Sequence, residues 1–120
     1  GVVRVPGRTG SVHDHADAWV LYGLLDGKET LERFERVDDH SRDDYAEVRL
    51  TSADQGQAGQ ADLVQPYDIH AEQGSDIRSV AVILRSNVLV GRVLQGRYDR
   101  ETNKYSTGSG PTQIPYELTA

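Results

Sequence analysis

An all-β fold, either a sandwich or a barrel of short strands, is predicted by three observations. Apolar and polar residues alternate through much of the chain, no stretch sustains a helical period for long, and turn-forming residues recur at short intervals. At 120 residues the chain is expected to form one domain, 1–120, large enough to bury a core.

The elements follow in order. Val2-Val3-Arg4-Val5 is strand-like, and Ala18 to Leu25 is an apolar run ended by Asp26-Gly27, a strong hairpin signal. Lys28 to Val37 fits a short helix or a strand, and the turn before it favours the strand. Tyr45 to Leu50 alternates cleanly, whereas Thr51 to Gly59, rich in Ser, Asp, Gln and Gly, reads as a loop. Ala61 to Val64 and Ile69-His70 are short strands interrupted at Gln65-Pro66. Ile77 to Arg85 is the clearest strand, with a turn at Ser86-Asn87, and Val88 to Tyr98 continues in the same style. The Gly/Pro-rich tail from Thr107 to Pro115 is expected to lie over the surface.

Composition narrows the function classes. Net charge is −6, and the arginines are scattered among acidic residues, which argues against nucleic acid or an anionic membrane surface as a partner. No apolar run approaches the ~20 residues of a membrane-spanning helix. Cysteine is absent, which excludes disulfides and thiolate ligands and leaves a cytoplasmic default. Methionine is absent as well, position 1 included, so a native N-terminal segment is expected to be missing.

Four histidines occur in the chain, and two of them stand one residue apart in Ser11-Val12-His13-Asp14-His15. Side chains at i and i+2 of a strand point to one face, so His13 and His15 can converge. His70, from a later strand, would complete a facial set of neutral nitrogen ligands for a divalent transition metal. The bland alternative is a surface pair in a turn. Asp14 points away from its neighbours, and Asp14 or Asp17 could accept the second ring N–H of a ligand. His40, in the acidic stretch Asp38 to Asp44, reads as a solvated loop residue; that stretch lacks the Gly and terminal Glu of a calcium loop.

The stretch Gly7-Arg8-Thr9-Gly10-Ser11-Val12-His13-Asp14-His15 resembles the first metal-binding motif of the cupins. Its Ser-x-His-Asp-His form, with Gly27 twelve residues beyond His15, is similar to the thiol dioxygenases of the cysteine dioxygenase type. The likeness continues through Lys28-Glu29-Thr30-Leu31, His70 stands where the second motif supplies a third histidine, and Tyr98-Asp99-Arg100-Glu101-Thr102 resembles a late segment. The resemblance implies a cupin double-stranded β-helix, or jelly-roll barrel, holding one metal on three histidines, usually Fe(II), with Zn(II), Ni(II) or Mn(II) as alternatives. Two departures qualify it. Val20 occupies the slot of the commoner fourth ligand, a glutamate, as the thiol dioxygenases also lack one. The relay strand, Ser-x-His-x-Tyr in that family, reads Ser79-Val80-Ala81-Val82-Ile83, so cysteine oxidation is not the expected reaction.

If Val20 faces the metal, then Tyr22 and Leu24 face the same interior, and Tyr22 is the candidate catalytic hydroxyl, or else a packed core tyrosine. Ser79, Ala81, Ile83 and Arg85 share a face, which makes Arg85 a candidate carboxylate anchor. Ser79, and Tyr67 at the mouth beside Gln65, complete the candidate substrate contacts, while Trp19 falls on the alternate face for packing. The expected function is that of a non-haem Fe(II) dioxygenase acting with O₂ on a small organic substrate that chelates the metal. The alternatives are a non-oxidative metal-dependent lyase, isomerase or hydrolase, and a non-catalytic ligand-binding cupin. A homodimer is the expected assembly.

Overall fold

The computed structural model describes residues 1–88, 91–92 and 94–110. Alternation produces strands throughout: β1 (Val2–Arg4), β2 (Val12–His13), β3 (Val20–Asp26), β4 (Lys28–Arg36), β5 (Val48–Gln57), β6 (Ala61–Val64), β7 (Ile69–Gly74), β8 (Ser79–Arg85), β9 (Leu94–Tyr98) and β10 (Tyr105–Ser109). They form a four-stranded sheet in the order β1-β8-β3-β6 and a six-stranded sheet in the order β10-β9-β2-β7-β4-β5. All these pairings are antiparallel. The architecture is a two-sheet, all-β arrangement consistent with a jelly-roll-like fold, and among the described residues the sheets do not close into a barrel.

The period-2 rule sorts each strand's side chains onto two faces. On β3 the rule buries Val20, Tyr22 and Leu24, and on β8 it buries Ser79 and Ala81. Tyr22, Leu24 and Ala81 pack together with Leu31 and Ile83 as the apolar part of the space between the sheets. Val12, Phe34, Ile69 and Ala71 alternate with the residues facing that space and form a second cluster with Val48 and Tyr98. Polar contacts also join the sheets. The Arg33 guanidinium of β4 donates to both carboxylate oxygens of Asp62 on β6, each at 2.8 Å.

Three expectations are corrected. Thr51 to Gly59 is mostly strand: β5 runs through it as the edge strand beside β4, largely exposed, so it needs no apolar alternation. The start of the expected tail, from Thr107 on, belongs to β10 (Tyr105–Ser109), which pairs with β9 as the opposite edge, and residues 111–115 lie outside the described set. Within Val88 to Tyr98 the strand begins only at Leu94, and residues 89, 90 and 93 lie outside that set.

Asp26-Gly27 is also not a hairpin between paired strands. β3 belongs to the smaller sheet and β4 to the larger, so the turn is a corner that carries the chain from one layer to the other. Gly27 has φ +77°, and a Cβ there would overlap the Arg78 carbonyl oxygen. Gly27→Ala is expected to cost about 2–4 kcal/mol, summing left-handed strain and overpacking. Urea unfolding checks this; a loss below about 1 kcal/mol would mean that the corner relaxes freely.

Candidate metal centre

β2 lies between β7 and β9, with His13 opposite His70 on one side and opposite Arg97 on the other. This register places two of the imidazoles side by side. His15 falls just beyond β2, where Ala16 turns the chain at φ 50°. The three rings stand at centroid separations of 4.8 Å (His13–His15), 4.4 Å (His13–His70) and 4.8 Å (His15–His70). Their potential ligand nitrogens all lie within 4.8 Å of one another. His15 and His70 are buried and His13 is half-buried.

Ring orientation is set by the second nitrogen of each imidazole. His13 Nδ1 donates to the Ser11 carbonyl at 2.9 Å, and His70 Nδ1 donates to the Asp68 carbonyl at 3.1 Å. Both contacts fix the tautomer that leaves the Nε2 lone pair free, the form a metal requires. His70 Nε2 is buried without a hydrogen-bond partner among the described residues. It lies 3.2 Å from Glu72 Oε1 without forming a hydrogen bond to it. An orphaned buried lone pair facing two other imidazoles is the donor set a divalent metal fits.

His15 Nδ1 lies 3.2 Å from Gln95 Nε2 on β9, and turning the amide over would bring Oε1 to the same place. If Gln95 presents its nitrogen, the imidazole proton moves to Nε2 and blocks ligation. If it presents Oε1, it accepts from Nδ1–H and frees Nε2. The second orientation suits a ligand. Burial, and then the nearness of His70, lowers His13 below its usual range, which favours its neutral form. Burial, with His70 and His13 alongside, takes His15 down to about 3.

The cluster opens onto a cleft of about 540 Å³, lined among others by Val20, Tyr22, Glu72, Ile83, Arg85 and Gln95. Arg4, Arg8 and Arg97 reach its wall as well, so the cleft is rich in cations. Burial lowers the Arg85 pKa, and Arg85 Nε has no hydrogen-bond partner among the described residues. Arg85 thus lines the same cleft as His13 and His15.

Other candidate residues are placed differently. Tyr22 borders the cleft, but its hydroxyl donates to Glu29 Oε2 at 2.8 Å. Burial, and then the Glu29 contact, hold the phenol protonated by raising its pKa. The Ser79 hydroxyl donates to Glu29 Oε1 at 2.5 Å and does not line the cleft. Tyr67 is exposed, with φ 62°, in a separate hollow with Asp14, His40 and Tyr105. Asp14 is buried and serves structure: it accepts from Ala16 N–H (2.9 Å), Gly96 N–H (3.0 Å) and the Tyr98 hydroxyl (2.7 Å). Backbone carbonyls and Gln95, rather than Asp14 or Asp17, therefore meet the second ring nitrogens.

Sequence reasoning missed Glu29, Glu72 and Gln95. Glu72 alone carried a signal, because it stands at i+2 from His70, the spacing already used for His13 and His15. Among the described residues no helix is long and apolar enough to cross a membrane. Compared with known proteins, the chain matches no family model and no curated sequence. What the geometry establishes is an all-β fold with a buried three-histidine cluster, consistent with a cupin-like metal-binding site and capable of coordinating a metal ion.

Proposed function

We propose that this chain is a metal-dependent oxygenase: His13, His15 and His70 hold one Fe(II), and the cleft beside them binds a small organic anion. The observation that carries the reading is the convergence of three imidazoles whose candidate ligand nitrogens lie within 4.8 Å of one another, two of them lining an arginine-rich cleft. Bound iron would supply open coordination positions for substrate and O₂, and electrons for oxygen reduction.

The protein's own residues bind and orient. Arg85 brings an unpartnered guanidinium donor to the cleft wall, a charge that a substrate carboxylate would satisfy. Val20 and Ile83 give the same cleft an apolar side that excludes water from the reacting atoms. Where a His and Tyr relay would stand, Ala81 is buried against Tyr22 and Leu24 and Ile83 faces the cleft, so no side chain of that strand moves a proton there. The substrate must therefore reach the metal already ionised, or ionise on binding it.

The test is oxygen uptake by iron-loaded protein with thiol carboxylates, β-diketones and catechol-type acids. One anionic class is expected to support uptake. Arg85→Gln is expected to raise its KM about 10–100-fold, the loss of one charged hydrogen bond, with metal content unchanged. No uptake with any candidate, alongside tight Zn(II) or Ni(II) binding, would replace this reading with Lewis-acid chemistry at the same three histidines.

A further inference from the structure

Beside the three imidazoles stands a carboxylate that the three-histidine description leaves without a task. Glu72 follows His70 by two residues on β7, so both side chains leave the same face of the sheet. Its side chain is only 13% exposed, and it lines the cleft that His13 and His15 line. The Arg8–Gly10 segment crosses this end of β7: Gly74 N–H donates to the Arg8 carbonyl at 2.8 Å, and a Cβ on Gly10 would overlap the Glu72 carbonyl oxygen. The Arg8–Gly10 segment thus packs on the Glu72 backbone, while the Glu72 carboxylate is directed at His70.

The contact with His70 is chemically specific. His70 Nδ1 is engaged by the Asp68 carbonyl, so Nε2 carries the lone pair, and it faces Glu72 Oε1 at 3.2 Å. Nε2 and Oε1 at that distance are satisfied by a cation placed between them, a proton in the metal-free protein or a metal ion when one is bound. Once Nε2 is on a metal, His70 has no N–H left to offer Glu72, so the carboxylate cannot serve merely by orienting that ring. Val20, the position the resemblance associates with a fourth ligand, turns an isopropyl group into the same cleft.

We infer that Glu72 supplies a fourth ligand to the metal held by His13, His15 and His70, a carboxylate delivered from β7 instead of the strand that carries Val20. This rests on the three-histidine reading above. A carboxylate lowers the net charge of a divalent centre from +2 to +1. With four protein ligands, an octahedral ion keeps two open positions instead of three. A substrate that holds the metal through one atom then leaves room for O₂, whereas a two-point chelator fills both positions.

Cobalt(II) titration, followed by its visible ligand-field absorption, tests the assignment in the parent protein, Glu72→Gln and Glu72→Ala. Manganese(II) loading with water-proton relaxation counts the open positions. The parent is expected to bind one Co(II). Both variants are expected to bind it at least 10–100-fold more weakly with a shifted spectrum, since loss of a ligand exceeds loss of an outer partner. Manganese-loaded Glu72→Ala is expected to show the relaxivity of one additional water. Melting of the metal-free proteins checks that the variants are folded, and Glu72→Gln preserves shape if the alanine variant is not. Unchanged affinity, spectrum and relaxivity in the variants would overturn the role of Glu72 while leaving the histidines standing. Failure of the parent to bind cobalt would overturn the three-histidine centre itself.

Discussion

His70→Ala is expected to abolish stoichiometric metal binding while leaving the metal-free chain folded. His70 is the hub of the cluster: it is almost wholly buried, it pairs across to His13 on one side and to Arg33 on the other, and its ring stands within 4.8 Å of both other imidazoles. Removing it leaves two imidazoles, and the affinity should fall well beyond the ~10–100-fold that an outer partner costs. The metal-free fold should tolerate the change, because alanine removes an unpartnered buried nitrogen along with the ring. Thermal melts with and without Zn(II) or Co(II) make the comparison direct. At a metal concentration of 100 times Kd the parent gains about 2.7 kcal/mol, and His70→Ala should gain nothing measurable. Equal metal-induced stabilisation of parent and variant would place the metal elsewhere and end the three-histidine reading.

Glu29→Ala is expected to be the most damaging substitution for the fold. Glu29 belongs to β4 in the larger sheet and is 1% exposed. The partners it accepts from all belong to the smaller sheet: the Tyr22 hydroxyl at 2.8 Å, the Ser79 hydroxyl at 2.5 Å and Arg4 Nε at 3.4 Å. Alanine would strand two hydroxyls and a guanidinium between the layers and open a hole there. Breaking a buried pair by removing one partner costs about 3–5 kcal/mol, against a total stability of about 5–15 kcal/mol for a domain. Glu29→Gln keeps the volume and loses the charge, so a smaller loss of about 1–3 kcal/mol is expected. Urea denaturation of both variants decides the matter. A cost below about 1 kcal/mol for Glu29→Ala would mean that water replaces the carboxylate without penalty.

What was legible in the sequence was what alternation encodes. Val20, Tyr22 and Leu24 are buried as one face, and so are Ser79 and Ala81, because a half-buried strand must alternate. His13 and His15 converge because the same period brings them together. Most of β5, beyond Leu50, and β10 stayed hidden because both are edge strands, largely exposed, whose polar residues carry no burial signal. The Asp26-Gly27 dipeptide announced a reversal and could not say which strands would pair across it. Turn chemistry specifies a backbone conformation, while pairing is decided by what each face must bury. Gln95 and Ser79 were invisible as partners because the contacts they make span 80 and 50 residues.

The corner at Gly27 also bears on how the chain finds its layers. Sheets that stack usually meet through contacts distant in sequence, and closing long loops slows folding. Here the Tyr22 hydroxyl reaches Glu29 across the gap between the two layers at a separation of seven residues. The first bridge between the sheets is therefore as local as two turns of helix. A chain that has made only β3, the corner and β4 can already hold both layers at their working distance, and the histidine strands have a template on which to settle.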